Sequence, residues 1–293
     1  RTIELKIPDH QVKCEALESK GVKGVNVEIP CLDVKPVRGY YATPGKASAG
    51  GHPAIIVFHA AGVKGGWCRS SLINTMGLAD KYNAIVIDIN AHGMLNGQPQ
   101  TYYDELEAGE LANYRYQDND NRDTFYFLGM YLRLMRAIDF LCAQPEWDGH
   151  NLIAYGISQG GAQSLAAAGL DSRVSTSIAI VPALCNISTP NGGWPGMGKT
   201  SPDTEEGKRV LETYRYFDSV NFCALTQANV LIAVGLIDTT CPPPGVLTAY
   251  NQIQSNKQLL SAPDESHHGM STPNSAQRKT YDAFMTENIK QAP

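Results

Sequence analysis

One serine, one aspartate and a pair of histidines follow one another in an order that suits acyl transfer. Ser158 lies in Gly156-Ile157-Ser158-Gln159-Gly160. That is the pattern of a nucleophile elbow, in which a strand turns so sharply into a helix that glycines are needed on both crowded flanks and the serine Oγ is pushed out above the sheet. A serine hydroxyl is a weak nucleophile until a base removes its proton and an acid orients the base. Asp238 comes next, in Gly235-Leu236-Ile237-Asp238, followed by His267 and His268. Serine, acid, histidine is the chain order that this type of elbow requires. Asp238 alone also fits a turn ahead of Cys241-Pro242-Pro243, and either histidine alone also fits a solvated loop. Spacing does not choose between the two histidines.

Acyl transfer also needs two N–H groups aimed at the oxygen on which negative charge develops. Gln159, directly after the serine and at the positive end of a helix, is the first expected donor. Ala61, in the loop His59-Ala60-Ala61-Gly62, is the second; the donor is main chain, so a bare alanine suffices. Gly193-Trp194-Pro195-Gly196-Met197-Gly198-Lys199-Thr200 satisfies the phosphate-loop pattern, but its context does not. A phosphate loop follows its strand directly and opens a helix. Here the polar stretch 186–192 intervenes and Pro202 follows at once, so the segment is read as a Gly/Pro loop with Trp194 at a pocket rim.

Positioning such groups calls for strands that end on one side of a sheet. Short apolar runs at 54–58, 84–89, 151–155, 177–181, 230–234 and 258–262 lack polar alternation, as strands covered on both faces do. Helical patterns alternate with them at 68–82, 125–142, 159–169, 205–217, 245–255 and 274–289. In the second, Phe125, Leu128, Leu132, Met135 and Ile138 form a stripe, with Arg133 and Arg136 set off it. Runs at 25–30 and 37–42 predict an N-terminal β-hairpin. The pattern is that of an α/β fold, a mostly parallel doubly wound sheet with helices on both faces, in a single domain over 1–293. Residues 1–50 form the hairpin and lead-in, and 188–206 a Gly/Pro-rich insertion at the site rim. Polar segments at 90–123 and 188–206 read as functional loops.

Of the 293 residues 43% are apolar and 18% charged, enough for a core without staples. Asp and Glu outnumber Lys and Arg by 29 to 24, which leaves no basic field for nucleic acid or an anionic membrane. No apolar run is long enough for a membrane-spanning helix. The seven cysteines include no Cys-x-x-Cys pair and suggest neither a disulfide scaffold nor a zinc site. Cys14 and Cys31 suit a disulfide in an oxidising compartment, whereas Cys142, Cys185 and Cys223 read as buried thiols. The first residue is Arg1, so any export signal lies outside this sequence. The expectation is an exported protein, periplasmic or extracellular, with the cytoplasm as the alternative.

Further blocks carry a family resemblance over about 53–267: Tyr-Phe-Leu-Gly-Met-Tyr-Leu at 126–132, Ser-Gln-Gly-Gly at 158–161, Val-Pro-Ala-Leu-Cys at 181–185, Tyr-Phe-Asp-Ser-Val-Asn-Phe at 216–222, and Gly-Leu-Ile-Asp-Thr-Thr-Cys-Pro-Pro at 235–243. With them the chain resembles the acetyl xylan esterase and cephalosporin C deacetylase group, carbohydrate esterase family 7, of the α/β-hydrolases. The resemblance implies a serine esterase that removes acetyl groups from carbohydrate, with Ser158, Asp238 and His267 as its triad and no metal or organic cofactor. Running the family pattern forward from Asp238 reaches His267 without a gap. It further implies a pocket bordered by His59, His92, Pro182 and His268. The chain departs from the family at His59-Ala60-Ala61 (His-Gly-Tyr in the family), Asn90-Ala91-His92-Gly93 (Arg-Gly-Gln-Gly) and His267-His268 (His-Glu). Those changes suggest the same reaction class on a different ester, with a uronate ester or another small acyl ester as the near alternative and a silent carbohydrate-binding module as the distant one. The family's hexameric ring is not carried over, because the N-terminal region and 188–206 leave its pattern; a homo-oligomer stays open.

Overall fold

The computed structural model describes residues 16–19, 21–32, 34–187, 193–196, 200–272 and 274–290. Cys14 and Lys199 lie outside them, as does much of the 188–206 segment.

The described strands are β1 (Ala16–Ser19), β2 (Val22–Ile29), β3 (Val37–Thr43), β4 (His52–Phe58), β5 (Ile85–Ile89), β6 (Trp147–Ile157), β7 (Thr176–Ile180), β8 (Asn229–Gly235) and β9 (Lys257–Ala262). They form one sheet in the order β1-β2-β3-β5-β4-β6-β7-β8-β9. The first three strands are antiparallel, and β3 pairs antiparallel with β5. From β5 to β9 every pairing is parallel.

The helices are α1 (Leu72–Tyr82), α2 (Gln100–Ala108), α3 (Tyr126–Cys142), α4 (Gln159–Leu170), α5 (Glu205–Arg215), α6 (Ser219–Leu225), α7 (Pro243–Gln252), α8 (His267–Ser271) and α9 (Ser275–Lys290). They cover both sheet faces, which is why the central strands are apolar throughout. In β4, Ile56 and Phe58 join a core with α3, α4, α5, α6 and α7, while Ile55 faces a second core with α1 and α9.

The strand order places the site. From β4 the chain moves outward to β5, then crosses back to β6 on the other side of β4. The connections leaving β4 and β6 therefore diverge, and a crevice opens beyond their C-terminal ends, where open α/β sheets bind ligands. Both the His59 loop and Ser158 stand there.

Three readings change. Helix α2 lies inside the polar stretch 90–123; only Tyr103 of its nine residues is buried, so its apolar signal is faint. Arg133 and Arg136 are buried although they stand off the apolar stripe, because the loops after β2 and β5 cover the flank of α3. Arg133 donates through Nε and Nη2 to Ala91 O at 3.0 and 2.7 Å, and Arg136 Nε donates to Pro30 O at 2.9 Å. Cys142 is half-buried, unlike Cys185 and Cys223. Among the described helices none is long and apolar enough to cross a membrane.

Asp88, on β5, is a buried acid away from Ser158. Its Oδ2 accepts the N–H of Ser71 at 2.8 Å, which caps the approach to α1. Burial pushes its carboxyl up to about 8 against that hydrogen bond. An unfolded aspartate titrates near 3.9, so between about 4 and 8 the folded state holds a proton that the unfolded state has lost, and stability falls as pH rises through that window. Asp88→Asn removes this dependence. Its melting temperature relative to the parent is expected to climb from pH 5 to pH 8 in thermal melts; a difference constant with pH would contradict the assignment.

Candidate active site

Strand β6 ends at Ile157 and α4 begins at Gln159, leaving a single residue, Ser158, for the whole turn. Ser158 takes φ 58° and ψ −115°, a left-handed conformation that L residues rarely adopt. The flanking glycines follow from how closely α4 passes the sheet. A Cβ on Gly156 would strike the carbonyl of Gly160, and one on Gly160 would strike the carbonyl of Phe58 at the end of β4. Hydrogen bonds hold the strained residue on both sides. Its N–H donates to Ile180 O at 2.8 Å, and its carbonyl accepts from Ala162 N at 3.1 Å and Ala183 N at 2.9 Å.

Asp238 lies beyond the end of β8, 3% exposed. Its Oδ1 accepts the N–H groups of Thr240 and Cys241 at 2.7 and 2.8 Å, which fixes the carboxylate plane. That leaves Oδ2 for His267, whose Nδ1 lies 2.7 Å away. Because a carboxylate only accepts, the imidazole hydrogen sits on Nδ1 and Nε2 is left as an acceptor. Nε2 lies 3.1 Å from Ser158 Oγ, so the hydroxyl donates to it. The short helix α8 creates this arrangement: Ser266 caps it by accepting the N–H of Gly269, and Ile237 N donates to Glu265 O, drawing α8 onto the turn that carries Asp238. His268, the next residue, is exposed and turned from this line. A hydroxyl, an imidazole and a buried carboxylate thus form one relay able to withdraw the serine proton.

Gln159 opens α4, so its main-chain N–H is free of helical partners and stands beside Ser158. Its side chain is buried, and its Oε1 accepts from Tyr114 Oη at 2.6 Å. Ala61 is exposed in the loop after β4. His59 holds that loop from below. The N–H of Ala91 donates to its Nε2 at 2.9 Å, so the ring hydrogen is on Nδ1, which donates to Ala60 O at 2.7 Å. Burial pulls the imidazole down to about 4, so it is neutral in that role at neutral pH. In a trans peptide the C=O and N–H point opposite ways, so fixing Ala60 O also fixes the direction of the Ala61 N–H.

Of the residues expected to border the pocket, His59, His92 and Pro182 are buried. His92 Nδ1 lies 2.8 Å from Tyr126 Oη, and its ring packs edge-on against Tyr114 at 4.4 Å. Burial first, and His59 second, push its pKa well down. Pro182 sits against the start of α4, its Cα 3.0 Å from where a Gly161 Cβ would be. Trp194 is half-buried, its N–H donating to Cys185 O at 3.0 Å. The described part of the phosphate-loop pattern, 193–196 and Thr200, contains no helix, and α5 begins only at Glu205.

The residue reading did not single out Tyr114, which stands in a stretch without periodicity, or Asp218, buried at the N-cap of α6. Asp218 accepts from Asn186, Ile187 and Val220 N–H groups at 2.9, 2.8 and 3.0 Å. It thereby pins a segment in which Val181, Leu184 and Asn186 all have positive φ. Burial raises its pKa against those three hydrogen bonds.

A family model described as acetyl xylan esterase (AXE1) matches residues 3–191 and 196–285. The acetyl esterase Axe7A of Xylanibacter ruminicola is 31% identical over 247 residues, 82% of this chain and 54% of the relative. The chain thus spans about half the length of that curated relative. Among solved structures, an acetyl xylan esterase from Paenibacillus sp. R4 superposes with a TM-score of 0.78 at 25% identity, over 96% of this chain and 89% of that one. Acetyl xylan esterase 1 from Thermoanaerobacterium sp. JW/SL YS485 gives 0.75 at 21% identity and the same coverages, and shows the shared fold.

The hydrogen-bond geometry separates the adjacent histidines. His267→Ala is expected to lower kcat for 4-nitrophenyl acetate by at least about a thousandfold, whereas His268→Ala stays within a few-fold of the parent. Equal losses in the two variants, or a larger loss in the second, would contradict the relay.

Proposed function

The chain belongs to the acetyl xylan esterase family, and on that premise we propose that it is a serine esterase that removes acetyl groups from carbohydrate, such as acetylated xylan or xylooligosaccharides, through an acyl-enzyme on Ser158. The observation that carries this reading is the continuous relay from Ser158 Oγ to His267 Nε2 and from Nδ1 to Asp238, at 3.1 and 2.7 Å.

In the first step Ser158 Oγ attacks the acetyl carbonyl carbon while its proton passes to His267 Nε2. Asp238 keeps the imidazole in the required tautomer and stabilises the cation that forms. The negative charge on the former carbonyl oxygen is met by the main-chain N–H groups of Gln159 and Ala61. Each such donor is worth about a hundred- to a thousandfold in rate. Collapse of this intermediate releases the sugar hydroxyl, which takes the proton from His267. Water then attacks the acetyl-serine as His267 takes its proton; the bond to Ser158 Oγ breaks, the serine oxygen takes that proton back, and acetate leaves. The proton transfers and charge stabilisation in this scheme use side chains and backbone alone.

Acetate release from acetylated xylooligosaccharides tests the substrate class, read beside 4-nitrophenyl acetate and butyrate. The parent is expected to release acetate from the oligosaccharide and to prefer acetate over butyrate, and Ser158→Ala is expected to lose both activities. Hydrolysis by Ser158→Ala at the parental rate would overturn the nucleophile. Activity on nitrophenyl esters with none on acetylated sugar would move the same machinery to another ester.

A further inference from the structure

Cys241 brings to the site a chemical group that the proposed reaction leaves idle. Acyl transfer uses only its main-chain N–H, which orients Asp238, and any residue but proline supplies that donor. The side chain is a thiol, 1% exposed, in hydrogen-bond contact with Ser158. A carboxylate oxygen of Asp238, the sulfur of Cys241 and one imidazole nitrogen of His267 all lie within 4.8 Å of one another.

One oxygen, one sulfur and one nitrogen donor, with a fourth direction open, is a ligand set that zinc accepts and that magnesium and calcium, which take oxygen donors, do not. Zinc bonds of about 2.0–2.3 Å put tetrahedral donors about 3.3–3.8 Å apart, so shifts on the order of 1 Å, with Asp238 Oδ2 and His267 Nδ1 opening from 2.7 Å where Nδ1 is the ligand, would bring the three donors into place. The His267 side chain is 21% exposed, which gives a small ion a path to a cysteine that is itself sealed from bulky reagents.

We propose that Cys241, Asp238 and His267 form an inhibitory site for a thiophilic divalent cation of the zinc type, a regulation that rests on the relay of Ser158, His267 and Asp238 being the catalytic one. Binding forms a metal–sulfur bond and releases the thiol proton to water, with no change of oxidation state. Inhibition follows whichever imidazole nitrogen is taken. At Nδ1 the ion replaces the hydrogen bond to Asp238 and the ring hydrogen moves to Nε2, which can then no longer accept; at Nε2 it occupies the lone pair that must accept the Ser158 proton.

The test measures 4-nitrophenyl acetate hydrolysis against zinc concentration for the parent, Cys241→Ala and Cys223→Ala, each referred to its own zinc-free rate. The parent is expected to be inhibited and to recover on adding EDTA. Cys241→Ala should need at least tenfold more zinc for half inhibition, and Cys223→Ala, whose thiol is buried elsewhere in the core, should match the parent. A second readout needs no activity: cobalt(II) added to Ser158→Ala should produce a thiolate-to-cobalt absorption band, absent when Cys241→Ala is combined with it. Equal zinc sensitivity in Cys241→Ala, no inhibition of the parent, or no cobalt band would each overturn the cation site. A cobalt band in a protein whose ester hydrolysis survives Ser158→Ala would instead sink the catalytic reading and with it the inhibition, leaving only a metal site.

Discussion

The left-handed backbone of Ser158 is the constraint on which the rest of the site depends. A non-glycine residue at φ 58° costs on the order of 1–3 kcal/mol and persists only where its neighbours over-determine it. Here they do so through the sheet itself. The serine N–H is tied to the end of β7, its carbonyl is shared by Ala162 and Ala183, and the glycines at 156 and 160 let α4 pass against β4 without a gap. The strain then spreads. Val181, a β-branched residue at φ 40°, and Leu184 at φ 54° extend the unusual backbone beyond β7. Asp218 holds that segment by taking three main-chain N–H groups on one buried carboxylate. Ser158 is thus held in its strained conformation, 6% exposed, because a chain of buried hydrogen bonds prevents the turn from relaxing.

A second layer of polar groups lies under the opposite wall. The N–H of Ala91 donates to His59 Nε2 and its C=O accepts from Arg133, so one residue links the loop after β4, the loop after β5 and helix α3. Arg38 adds a hydrogen bond to Gly93 O at 2.9 Å, and Tyr114 joins the loop at Gly62 to the side chain of Gln159. His59 and His92, which the family resemblance places at the border of a pocket, are buried neutral imidazoles, and His59 ties down the loop after β4. Pre-organised donors need no reorganisation as charge develops, and such a layer provides that rigidity.

Much of this was legible in the residues. The apolar runs at 54–58, 84–89, 151–155, 177–181, 230–234 and 258–262 became β4 to β9 with ends shifted by a few residues, because burial on both faces leaves a strong continuous signal. Ser158, Asp238 and a following histidine were placed by motif order alone. Less legible were features set by tertiary contact. α2 buries one side chain, so its stretch read as loop. α8 has five residues and exists because Ser266 caps it against the end of β8. Arg133 stands off the apolar stripe, and the packing of the loop after β5 onto α3 explains its burial. Cys241 stands in the family block at 235–243, and its place beside Ser158 comes from β6 and β8 ending on the same side of the sheet.

In the proposed reaction Ser158 is the nucleophile, and His267 and Asp238 make it one. Labelling with a fluorophosphonate, followed by peptide mapping, addresses that directly, since the reagent bonds to an activated serine oxygen whatever the natural ester. One labelled peptide is expected, the one containing Ser158, with labelling lost in His267→Ala and strongly slowed in Asp238→Asn. Labelling of a different serine, or undiminished labelling of Ser158 in His267→Ala, would contradict it.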